Sequence, residues 1–125
     1  MTKYKTQSFS NTFKNARKGM RLTIKSERNI RIHLFTATLV LITAYCLHFS
    51  IVKFCILLMT IAMVISAEMF NSAIEFSLDA IFHNKFSRMV GMAKDIAAGA
   101  VMVVTIIAVM IGVLLFAPPI FQLFL

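Results

Sequence analysis

Residues 54–82 read FCILLMTIAMVISAEMFNSAIEFSLDAIF. From Phe54 to Ala67 this stretch carries no charged residue. From Glu68 onward polar residues enter, among them Glu68, Asn71, Ser72, Glu75 and Asp79. Counted from Glu68 they stand at offsets 0, 3, 4, 7 and 11, so they fall on one face of a helix. The residues between them, among them Met69, Phe70, Ile74, Phe76 and Leu78, are almost all apolar. A segment that begins apolar all round and ends with one polar face predicts a long helix that crosses a membrane and emerges from it. The second span and its extension are therefore set at 54–82.

Working outward, a first apolar run covers 30–48, and Phe49–Lys53 is expected to form the turn before the second span. Beyond Phe82, the residues from His83 to about Arg88 read as a short loop with turn-forming Asn84. A third helix is expected over 89–117, stopped by Pro118 and Pro119, with an apolar tail at 120–125. Upstream, Phe9, Phe13, Ala16, Met20 and Ile24 recur at helical spacing, while Lys14, Arg17, Lys18, Arg21 and Lys25 occupy the opposite face. This pattern predicts an amphipathic surface helix over 9–28, lying in the membrane interface with its cations over anionic headgroups. Residues 1–8 read as a frayed polar tail. The fold class is all-α, an integral membrane protein of one domain (1–125) with three spans and a surface helix. Three short spans enclose little space alone, so self-association is expected.

Composition agrees with this reading. Of 125 residues, 59% are hydrophobic and 14% charged, where a soluble domain carries about 25% charged residues. The four glycines, Gly19, Gly91, Gly99 and Gly112, spell neither a Walker loop nor a dinucleotide fingerprint. P-loop kinases and Rossmann enzymes are thereby excluded. The first apolar run begins too far in for a secretory signal. Cys46 and Cys55 read as apolar filler, since two cysteines without further ligands make no metal site.

The chain holds 13 Lys plus Arg against 5 Asp plus Glu. Lys3, Lys5, Lys14, Arg17, Lys18, Arg21, Lys25, Arg28 and Arg31 cluster at the N-terminal side, and Lys85, Arg88 and Lys94 follow the second span. Only Lys53 lies between the first two spans. By the positive-inside rule the N-terminus and the 83–88 loop are cytoplasmic, and the 49–53 turn and C-terminus are external. Cations that flank spans in this way argue against nucleic acid as a partner.

The five acids, Glu27, Glu68, Glu75, Asp79 and Asp95, carry the chemistry. Ionisable groups in or beside spanning segments are costly and mark function by default. Glu68 lies about 20 Å along the helix from Phe54, near the inner edge of the hydrocarbon. Glu27, Lys94 and Asp95 lie just before the first and third spans, so all five acids are expected at the cytoplasmic interface. A transporter places its key charges nearer the midplane. Carboxylates at headgroup level suit Mg²⁺, which bridges nucleotide phosphates, and a general base for an alcohol. Together these describe phosphoryl transfer to a lipid hydroxyl. The competing structural reading is interhelical glue, worth about 1 kcal/mol per contact. Two further classes remain alternatives: a small oligomeric exporter or channel, and a non-catalytic subunit whose polar stripe docks a partner.

Glu-Met-Phe-Asn-Ser-Ala-Ile-Glu at 68–75, Asp79, and Ala-Lys-Asp-Ile-Ala-Ala-Gly-Ala-Val at 93–101 closely resemble the signature of the small prokaryotic lipid kinases. These are the bacterial diacylglycerol kinase and undecaprenol kinase family. Lys18-Gly19-Met20-Arg21 and Glu27 extend the match upstream. The resemblance implies a homotrimer with active sites shared between subunits, ATP with Mg²⁺ as donor, and a membrane lipid alcohol as acceptor. It implies Glu68 as catalytic base, Glu27 and Glu75 as holders of the metal–nucleotide, and Asn71 as support for the site. Lys94 and Asp95 would contact the nucleotide, and Lys85-Phe86-Ser87 aligns with a nucleotide-facing segment, without the acidic or histidine residues of other versions. Arg28, Arg31, His33 and Ala98 are assigned beside the acceptor. The stretch Ser26-Glu27-Arg28-Asn29-Ile30-Arg31-Ile32-His33 is similar to the Gram-positive branch, and the chain has no Trp. Undecaprenol is therefore the expected acceptor, with diacylglycerol the alternative.

Overall fold

A computed structural model describes residues 8–85 and 87–125. They form four helices: α1 (Phe9–Ser26), α2 (Arg28–Cys46), α3 (Ile51–Phe82) and α4 (Arg88–Phe124). The described residues contain no strand. Three helices, α2, α3 and α4, are long and apolar enough to cross a membrane. The expected tail at 1–7 lies outside the described residues.

Helices α1, α3 and α4 start where a side chain supplies the missing partner for a free backbone N–H. The hydroxyls of Ser8, Ser50 and Ser87 accept from the amides of Asn11, Lys53 and Val90 at 3.2–3.3 Å. The second turn is thus Leu47–Ser50, and α3 begins at Ile51 rather than Phe54. The Ser50 cap takes Ile51, Val52 and Lys53 into the helix, where hydropathy alone had left them in the turn. At the end of α2, His48 turns left-handed (φ 57°). The amide of Phe49 donates to the Ala44 carbonyl and that of His48 to Tyr45, both at 3.1 Å. This double closure satisfies two orphan carbonyls and drops Phe49 onto Ala44.

The buried apolar core is small and sits at this turn. Ala44, Phe49 and Leu57 form it, with Phe54, Leu115 and Phe116 packed around them. The Phe49 ring stacks tilted on Phe116 at 4.8 Å and meets Phe54 edge-on at 6.2 Å. Lys53 places its ammonium 5.3 Å from the Phe49 ring centre. Elsewhere most large apolar side chains face outward, as on a surface meant for lipid or another chain.

α4 differs most from expectation. It runs through Pro118 and Pro119 to Phe124, so neither a stop at 117 nor a separate tail exists. Proline's fixed φ is itself helical, and the pair removes only two donors, those facing the Leu114 and Leu115 carbonyls. Pro118 lies about 33 Å along α4 from Ile96, at the edge of a hydrocarbon core roughly 30 Å thick. At that level water can satisfy the freed carbonyls.

α1 ends at Ser26, where Glu27 leaves helical geometry and becomes the N-cap of α2. Arg31 reaches back from α2. Its guanidinium donates to the carbonyls of Ile24 and Lys25 at 2.9 and 2.8 Å. A cation at a helix C-terminus meets the negative end of the dipole and the unpaired carbonyls, so this contact fixes how α1 leaves α2. No residue of α1 is buried.

Candidate active site

The polar face of α3 is presented inward at three successive levels. At the first, Glu68 and Ser72 are 7% and 4% exposed, the buried polar residues among those described. Burying a carboxylate is costly unless it is paired. His33 of α2 supplies the partner, its Nε2 lying 3.3 Å from Glu68 Oε1. At the second level Asn71 Nδ2 donates to Glu75 Oε1 at 3.4 Å. The amide oxygen of Asn71 is buried with no partner. At the third, Lys94 Nζ of α4 contacts Asp79 Oδ1 at 2.6 Å. Both of these side chains stay about one third exposed, so the pair adds little stability. Its consequence is positional, because an ammonium has three N–H donors and Asp79 engages one of them. The Glu68-to-Asp79 span is about 16 Å along the axis.

An apolar groove of about 400 Å³ runs up to the first level. α2, α3 and α4 line it with Ile32, Val40, Leu57, Val64, Ala108 and Phe116 among others, relieved by Thr36, Thr60 and Thr105. His33 also lines it, so the groove has a polar end beside Glu68 and an apolar length away from it. A second concavity, about 370 Å³, lies on the basic face of α1 between Lys14, Arg17, Lys18 and Arg21.

The remaining expected site residues are spread more widely. Glu27 is half-buried where α1 meets α2 and makes no side-chain cap bond. Arg31, expected at the acceptor, is engaged by the α1 carbonyls of Ile24 and Lys25. Arg28, Lys85, Asp95 and Ala98 are exposed. Asp95 is turned about 100° from Lys94 around α4. Ser87 caps α4 with its hydroxyl. Phe86 lies outside the described residues. Two contacts are not predicted from sequence: Asp79 is placed on the stripe without Lys94 as a partner, and His33 beside the acceptor rather than on Glu68. The shared depth of His33 and Glu68 along neighbouring helices is the available signal.

Among the described residues no three His, Cys, Asp or Glu side chains converge as a metal cage. A nucleotide-bound Mg²⁺ does not require one, since it is held by one or two carboxylates plus phosphates and water. The donors on α3 fit that role. Glu75 offers a carboxylate, and the unpartnered oxygen of Asn71 lies one helical turn away.

A polar site at the end of an apolar groove is what a lipid-modifying enzyme requires, and the sequence agrees over nearly its whole length. Residues 14–116 match the family described as prokaryotic diacylglycerol kinase. The chain belongs to that family. It is 34% identical over 112 residues to a diacylglycerol kinase of Synechocystis sp., a match covering 90% of this chain and 64% of that protein. It is 37% identical over 110 residues to an undecaprenol kinase of Bacillus subtilis, covering 88% of this chain and 89% of that one. The chain thus spans less than two thirds of the Synechocystis relative and most of the Bacillus one. Family and relatives are lipid kinases by name, hence transferases.

Proposed function

We propose that this protein transfers the γ-phosphate of Mg-ATP to the hydroxyl of undecaprenol at the cytoplasmic face of the membrane, giving undecaprenyl phosphate. The observation that carries this reading is the buried Glu68, held by His33 at the polar end of the apolar groove. A lipid alcohol has the matching form, a hydrocarbon chain ending in one hydroxyl. The groove takes the chain, and the hydroxyl arrives beside Glu68.

In this mechanism Glu68 accepts the hydroxyl proton as the acceptor oxygen bonds to the γ-phosphorus. The bond from that phosphorus to the β–γ bridging oxygen breaks, and ADP leaves with the electron pair. Positioning and neutralisation of charge supply most of the catalysis in such a transfer. Mg²⁺, when bound with the nucleotide, supplies neutralisation of the phosphate oxygens. Glu27 and Glu75 would hold it, with Asn71 fixing the Glu75 carboxylate. The two N–H donors of Lys94 not engaged by Asp79 are available to phosphate, and Lys85 and Arg88 add positive field nearby.

Undecaprenol is preferred because the Ser26–His33 stretch is similar to the Gram-positive branch, and the Bacillus relative, matched over 89% of its length, is named an undecaprenol kinase. The family description and the Synechocystis relative support diacylglycerol as the second reading. In mixed micelles with Mg-ATP and both alcohols at equal mole fraction, undecaprenol should be phosphorylated at the higher kcat/KM. Preference for diacylglycerol would reverse the assignment, and phosphorylation of neither would remove the lipid kinase reading.

We further read the chain as a homotrimer with a cytoplasmic N-terminus and α1 in the headgroup layer. The small core and the outward apolar surface support self-association, and the family resemblance gives the number. The charge distribution gives the orientation, twelve cations on one side against Lys53 on the other. With Cys46 and Cys55 replaced by alanine, a cysteine introduced at position 3 should be shielded in intact cells from an impermeant thiol reagent. One at position 124 should label. Equal labelling of the two would overturn the orientation.

A further inference from the structure

His33 and Glu68 are 35 residues apart in sequence and meet across two helices. A glutamate side chain has three rotatable bonds, and apolar neighbours do little to choose among its rotamers. Imidazole has two, so a histidine on a neighbouring helix is a stiffer anchor. The side chain of His33 is 27% exposed and that of Glu68 9%. His33 therefore faces the groove on one side and the buried carboxylate on the other. Its Nε2 reaches Oε1, which leaves Oε2 as the oxygen without a contact to His33.

Resting on the reading of Glu68 as the base, we propose that His33 is its positioning residue. The Nε2–H of His33 holds Oε1 and turns Oε2 toward the acceptor hydroxyl at the polar end of the groove. No proton passes through the imidazole in this role. It donates one hydrogen bond, from the Nε2–H tautomer, and keeps that bond before and after Glu68 takes the proton from the alcohol. The groove wall and the base are thereby tied to one residue. A lipid chain packed against His33 finds its hydroxyl in register with Oε2, which is how an orienting contact accelerates a transfer between two bound reactants.

A purely structural contact would hold α2 against α3 and would make no demand on donor chemistry at position 33. Three variants of the purified full chain separate the two roles: His33→Ala, His33→Gln and Glu68→Gln, assayed with Mg-ATP and whichever of the two alcohols is the better acceptor. His33→Ala should lower kcat about tenfold or more, the scale of a misplaced reacting group, with the KM for ATP unchanged. His33→Gln keeps an N–H donor within reach and should recover most of that loss. Independently of turnover, the imidazole nitrogen resonances of His33 in histidine-labelled protein should shift on Glu68→Gln, which turns the charged acceptor neutral. Unmoved resonances would remove the contact. An effect of His33→Ala confined to the KM for lipid, or a glutamine no better than alanine, would overturn the positioning role. A Glu68→Gln variant without activity beside a His33→Ala variant with normal kcat would sink the inference and leave the base in place. Near-normal turnover in Glu68→Gln would remove the base itself, and the role of His33 with it.

Discussion

Glu68→Gln is expected to lower turnover at least about a hundredfold, within the 10² to 10⁴ that a positioned general base contributes. In barrier terms that is roughly 2.7 to 5.4 kcal/mol. The substitution preserves shape, and the glutamine oxygen can still accept from His33 Nε2, which lies 3.3 Å from Oε1 in the parent chain. Packing at this 7%-exposed position is therefore kept, and both substrates should bind. What glutamine cannot do is accept the hydroxyl proton. Glu68→Asp retains the carboxylate but withdraws it by one methylene, so its rate should fall between the two. A carboxylate that only glues helices predicts the reverse pattern, with the amide tolerated and the assembly weakened. Turnover and oligomer size measured on the same purified sample decide between them. A near-normal rate for Glu68→Gln would remove the base and leave simple positioning of the hydroxyl beside the γ-phosphate.

The second large effect concerns Glu75. Glu75→Gln should raise the free Mg²⁺ needed for half-maximal activity by about tenfold to a hundredfold. That is the range lost when even the outer partner of a metal ligand is removed. One charged oxygen ligand is replaced by a neutral one of the same outline. The amide can still accept from Asn71 Nδ2, now 3.4 Å from Glu75 Oε1, so helix α3 should be unchanged by circular dichroism. Glu27→Gln should act in the same direction, because its carboxylate makes no cap bond to α2 and is free for the metal–nucleotide. Excess Mg²⁺ should partly rescue both variants. Superimposable Mg²⁺ titrations for the parent and the Glu75 variant would end the metal assignment.

The polar stripe on α3 was legible in sequence because helical periodicity is a local property. Five polar residues at offsets 0, 3, 4, 7 and 11 share a face whatever surrounds the helix. Family membership was legible for a related reason, since the 68–75 and 93–101 blocks carry it without reference to geometry. The end of α4 was misread because proline's effect depends on depth. At the far end of a helix longer than the hydrocarbon is thick, two lost donors cost little. The start of α3 was set by a serine cap that hydropathy does not register.

The partners across helices were not legible. Sequence placed His33, Glu68, Asp79 and Lys94 near the same interface, yet gave no rule for which would touch. In the folded chain His33 meets Glu68, Lys94 meets Asp79, and Arg31 turns back onto the carbonyls of α1. The physical reason is that apolar helices in lipid gain little from burying one apolar face rather than another. Rotation and register are then chosen by a few specific contacts, such as the Phe49 turn and the polar pairs themselves. The sequence by itself determined the three long apolar helices, the acidic face and the family. The tertiary structure decided which carboxylate is buried, which side chain holds it, and where the groove meets it. Those outcomes depend on the distance between helices, which no single helix encodes.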